Sequence, residues 1–67
     1  MTYVFHNNQV TELSEEERGH TIYPVGSYVV EGGNRWYKKI LTSCVPINQC
    51  DIPDWVKALC LIGGIAR

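Results

Sequence analysis

The sequence predicts a minimal α+β domain: a small antiparallel β-sheet of three to five strands, centred on a hairpin over residues 27–42, with a C-terminal helix packed across one face. Three observations carry that expectation. Ser27 to Glu31 and Arg35 to Thr42 are rich in Val, Tyr, Trp and Ile, residues that fit a pleated, half-buried surface. Between them lies Gly32-Gly33-Asn34, a short connection whose residues reach positive φ at little steric cost. From Trp55 onward, Trp55, Val56, Leu59, Cys60 and Ile62 repeat as one apolar stripe of a helix.

Taken in order, Thr2-Tyr3-Val4-Phe5 reads as a strand, His6 to Gln9 as a turn and Val10 to Leu13 as a brief returning strand. Ser14 to Gly19 holds a capping box. The Ser14 hydroxyl accepts from the amide three residues on, and Glu17 reaches back to the Ser14 amide. Glu15, Glu16 and Glu17 suit the positive end of a single surface turn, and Gly19 is the expected stop. Consecutive helical positions point in different directions, so these carboxylates do not converge on one ion or substrate atom. His20 to Tyr23 leads in as an extended piece, because Pro24 biases Tyr23 away from helix. Ser43 to Asp51 reads as a polar loop. Asp51 is then expected to cap a helix with Pro53 in its first turn and Asp54 near its positive end. Gly63-Gly64 ends that helix, and Leu61 falls outside its stripe.

The 67 residues make a single domain, 1–67, with a small core, and such chains often lean on a partner, a metal or a disulfide. Six basic against seven acidic residues leave a net charge of −1, which argues against electrostatic capture of nucleic acid. No basic region followed by an apolar run opens the sequence, and Val56 to Ala66 is too short to span a membrane. A cytosolic origin without a signal peptide, and no membrane partner, are therefore expected. Cys44, Cys50 and Cys60 are an odd set that closes no disulfide framework, so buried free thiols are expected. A Cys44–Cys50 bridge is one alternative. A zinc site with His6 or His20 is another, although the spacing of Cys44 and Cys50 is wider than the usual metal knuckle. No metal or cofactor is predicted.

Tyr23-x2-Gly26-x2-Val29, then Gly33-x2-Trp36, then Pro53-x-Trp55 resembles the pattern of the small chitin- and cellulose-binding modules of bacterial glycoside hydrolases. Similar units recur in bacteriophage tail appendages. The resemblance covers residues 23–55. It departs from the pattern at Ser27, where an Asp is usual, at Glu31-Gly32, where Tyr-Asn is usual, and at Lys38, where a small residue is usual. Lys38 then shares a strand face with Trp36 and Ile40; the opposite register turns Tyr37, Lys39 and Leu41 inward. In either case a lysine must snorkel past the core rim. The resemblance implies non-catalytic polysaccharide binding through aromatic rings, with Tyr28, Trp36, Tyr37 and Trp55 as candidates. Tyr37, between Arg35 and Lys39, is expected to be the most exposed. Against this, Trp36 and Trp55 packed on each other would fill much of so small a core.

No phosphate loop, paired carboxylates or nucleophilic triad is present, so no enzyme is expected. The reading adopted is a small assembly, decoration or adaptor subunit, in a virion or host cytoplasm and most naturally of a bacteriophage particle. It docks on a larger structural protein, or on further copies of itself, through apolar residues Leu59, Leu61, Ile62 and Ile65. A glycan-binding module is the alternative, and an inhibitor of a host enzyme the second alternative.

Overall fold

The structure is a computed structural model and describes residues 2–32 and 34–63. It holds five strands: β1 (Thr2–His6), β2 (Gln9–Leu13), β3 (Tyr28–Glu31), β4 (Arg35–Lys39) and β5 (Cys44–Ile47). They form one sheet in the order β2-β1-β3-β4-β5, with every neighbouring pair antiparallel. Two helices, α1 (Glu15–His20) and α2 (Asp54–Gly63), complete the α+β domain that the residue pattern predicts.

Local chemistry sets each connection. Asn7 and Asn8 take φ of 51° and 60°, the two positive values of a type I′ turn, whose twist matches that of the strands it joins. The β3–β4 hairpin closes at the pair Glu31↔Arg35 around Gly32, whose φ is +63°; Gly33 lies outside the described residues. Pro24, Val25, Gly26 and Ser27 form a tight turn closed by Ser27 N–H donating to Pro24 O at 3.1 Å, with Gly26 at φ +88°. Gly26 N–H then donates to Lys39 O at 2.8 Å, and Lys39 N–H to Ser27 O at 2.9 Å, so pairing runs one residue beyond β3.

Several boundaries differ from expectation. β4 stops at Lys39, not Thr42, because Ile40 turns to donate its N–H to Ser43 O at 2.8 Å. The polar loop expected over Ser43 to Asp51 contains β5 and a 3₁₀ turn, Gln49–Asp51. Pro46 disguised this strand, yet proline is tolerated on an edge, where its missing N–H faces outward. Asp51 sits in that 3₁₀ turn and does not cap α2, which begins at Asp54 with Lys57 N–H donating to Pro53 O at 3.1 Å. Around α1 the capping box forms as expected, with both Ser14–Glu17 bonds at 3.2 Å, and the helix runs one residue past Gly19 to His20.

Strand alternation divides the core into two faces. On one, Phe5, Val30 and Trp36 are buried against Ile52, Val56 and Cys60 of the α2 region. On the other, Val4, Leu13 and Val29 are buried with Tyr23 and Tyr37 packed over them. The chain from β2 to β3 must pass β1 to reach its place in the sheet, and it does so through α1 and Tyr23. An ion pair from Arg18 Nη1 to Glu31 Oε2, 2.6 Å, ties α1 to β3.

Candidate interaction surfaces

The four aromatic candidates separate into three environments. Trp36 is 2% exposed. Its ring packs on Phe5 with centroids 5.6 Å apart, so it belongs to the core and offers no face to a sugar. Trp36 and Trp55 are not stacked on each other: Trp55, in the first turn of α2, meets Tyr28 edge-on with centroids 6.2 Å apart. Tyr28 and Trp55 are both half-buried. Tyr37, expected to be the most exposed ring, is half-buried like Tyr28 and Trp55 and lies on the opposite face with Val4, Leu13 and Val29. The pairing Tyr28↔Lys38 explains how the lysine is accommodated. Lys38 extends outward with its ammonium 5.6 Å from the centre of the Tyr28 ring, a favourable cation–π contact. Tyr28, Trp55 and Lys38 thus form one partly open aromatic and cationic cluster.

The apolar candidates also divide. Leu59 is half-buried against the α2 face of the core. Leu61 and Ile62 are 72% and 84% exposed. Ile62 therefore leaves the stripe in which the periodicity placed it. At about 100° per residue, six residues carry it roughly 120° away from Val56. Ile65 lies outside the described residues. A second set of exposed apolar side chains carries no pattern in the sequence: Ile22 (91% exposed), Val25 (56%) and Leu41 (82%). Val25 and Leu41 sit at the same end of the sheet, because the Gly26–Lys39 hydrogen bond ties the 24–27 turn to the end of β4. Each of these residues lies in a turn or a lead-in segment, where hydropathy patterning along an element gives no signal.

The chemistry available elsewhere is limited. Cys44 and Cys50 are exposed free thiols, contrary to the expectation of burial, and only Cys60 is buried. Burial pushes the Cys60 thiol above its ordinary value of 9.0. Cys44 is exposed because it is the first residue of an edge strand, and Cys50 because it lies in the 3₁₀ turn. Among the described residues, no three His, Cys, Asp or Glu side chains gather where they would hold a metal ion. A shallow cleft of about 230 Å³ opens on the second face, bordered by His6, Thr11, Leu13, Thr21 and Tyr23. Burial, reinforced by Glu31 and Cys44 and opposed by Arg18, raises the Tyr23 phenol above its ordinary 10.0. The cleft contains no acid–base pair joined by a hydrogen bond among the described residues. No helix among the described residues is long and apolar enough to cross a membrane. Compared with known proteins, the chain matches no family model, no curated protein and no solved structure.

Proposed function

We propose that this protein is a non-enzymatic assembly or adaptor subunit that docks on a larger protein through apolar surface. The observation that carries the reading is the end of α2, where Leu61 and Ile62 stand 72% and 84% exposed. A chain of this size has little apolar area to spare from its core, so leaving two adjacent large aliphatic side chains in water is explained by a surface that covers them. Ile22 and Leu41 supply further exposed aliphatic area. The resemblance of residues 23–55 to units of phage appendages supplies the setting, a bacteriophage particle.

The Tyr28–Trp55 pair beside Lys38 supports glycan binding as a second reading, since half-open rings stack on the C–H faces of sugars while the ammonium bonds hydroxyls. One pair of experiments separates the two. In the first, the double variant Leu61→Ser, Ile62→Ser is compared with the unaltered chain for binding of an apolar fluorescent dye and for solubility limit. The docking reading expects lower dye binding and higher solubility in the variant. In the second, the unaltered chain is spun down with insoluble chitin and cellulose. Retention that disappears in Trp55→Ala, together with no effect of the double variant, would replace docking by glycan binding.

A further inference from the structure

The sheet order leaves β2 and β5 at its two edges. Edge strands present unpaired backbone groups and need to be guarded or paired. β5 is guarded, because Pro46 has no N–H to offer. β2, Gln9-Val10-Thr11-Glu12-Leu13, contains no proline and no bulge against β1.

Its hydrogen-bonding phase follows from the turn before it. In a two-residue type I′ hairpin the residues flanking the turn exchange both backbone hydrogen bonds, so His6↔Gln9 is a bonded pair. Alternation makes Val4↔Thr11 and Thr2↔Leu13 the next bonded pairs. Val10 and Glu12 therefore aim their N–H and C=O groups away from β1, along the open edge, and no backbone group of the described residues outside the ladder meets them.

We propose that this edge pairs with β2 of a second copy, antiparallel, about a two-fold axis through Thr11. In that register Val10 faces Glu12 of the other copy and the reverse, so both outward residues of each chain are used and about four backbone hydrogen bonds form. Thr11 faces its own counterpart at the non-bonded position, a favourable cross-strand pair. The neighbouring symmetric registers are worse. Moving the axis to Val10 sets Glu12 against the turn residue Asn8, and moving it to Glu12 sets two carboxylates directly opposite. The two-fold operation makes the interface self-complementary and closed, which limits it to a dimer.

The end of α2 belongs to the same edge. Gly63 lines a surface hollow together with Tyr3, Val10 and Glu12, so the last turn of the helix, with Leu61 and Ile62, ends beside β2. Pairing brings the two helix ends onto one face of a sheet continuous through both copies. This deepens the assembly reading by naming a second copy as a partner, and it rests on that reading only for the cover given to Leu61 and Ile62.

Thr11 is exposed, so its substitutions leave the monomer core untouched. Light scattering during size-exclusion chromatography is expected to show the unaltered chain rising with concentration to twice its 7.6 kDa mass. Thr11→Lys and Thr11→Glu each place like charges across the axis, and each is expected to weaken the dimer several-fold with an unchanged circular dichroism spectrum. Mixing the two is expected to restore a dimer that native mass spectrometry identifies as mixed. Glu12→Pro, which removes one of the two outward N–H groups of each copy, is expected to weaken it as well. A chain that stays monomeric at every concentration, or a dimer indifferent to Thr11→Lys and Thr11→Glu, overturns the proposal. A dimer that Leu61→Ser, Ile62→Ser dissolves and the Thr11 variants do not would leave the apolar docking reading standing without the strand pairing.

Discussion

Replacing Trp36 distinguishes a core residue from a sugar platform by stability alone. The ring is 2% exposed and packs on Phe5 at 5.6 Å. Truncating a buried Trp to Ala costs about 3–5 kcal/mol. A chain of 67 residues has roughly 3–10 kcal/mol of total stability on a per-residue scale. With a urea slope of about 1 kcal/mol per molar for so small a domain, Trp36→Ala lowers the unfolding midpoint by about 3–5 M or leaves no folded baseline at all. Trp36→Phe behaves differently. The indole Nε1 is buried without a hydrogen-bond partner among the described residues, and leaving such a donor unmade costs about 1–3 kcal/mol. Phe keeps the contact with Phe5, sheds the orphaned N–H, and gives up roughly 1–2 kcal/mol of buried apolar surface. The two terms oppose each other, so the expected midpoint lies within about 1 M of the unaltered chain. Urea titration followed by far-ultraviolet circular dichroism reads both. A Trp36→Ala chain as stable as the original would refute the two-faced core described above.

Four further outcomes are expected. Ser27 is fully buried with its hydroxyl unpartnered among the described residues, so Ser27→Ala is expected to raise stability by about 1 kcal/mol in the same titration. Gly26 and Gly19 are predicted to respond in opposite directions to Ala, although neither has an atom within 4 Å of an added Cβ. Gly26→Ala costs about 1–2 kcal/mol because φ is +88°, whereas Gly19→Ala, inside α1, adds up to about 1 kcal/mol; thermal melts of the two variants check the sign. A thiol reagent at neutral pH is expected to modify Cys44 and Cys50 rapidly and Cys60 only on unfolding, with peptide mass spectrometry assigning the sites. Finally, the folded-state pKa of Tyr23 is raised above the unfolded 10.0. Its contribution to stability is therefore complete below that pH and is lost as pH rises through the folded value. Urea midpoints measured between neutral and strongly alkaline pH should fall more steeply for the unaltered chain than for Tyr23→Phe.

The residues by themselves determined several features that depend on a few adjacent side chains. The Asn7-Asn8 and Gly32 turns, the Ser14–Glu17 capping box and the Val56–Cys60 stripe are local, and short-range sterics and hydrogen bonds suffice to specify them. The tertiary structure decided which face each strand turns inward and what the exposed side chains border. Lys38 is tolerated because the hairpin register sets Tyr28 opposite it on β3, and Trp36 is core because Phe5 of β1, distant in sequence, closes over it. β5 is not legible in the residues because Pro46 resembles a loop signal, and that proline is acceptable only on an edge, a position set by strand order. The open backbone groups of β2 are equally invisible in a residue pattern. They follow from the phase of the Asn7-Asn8 turn, which the local residues set, and from the absence of a neighbour among the described residues, which only the strand order decides.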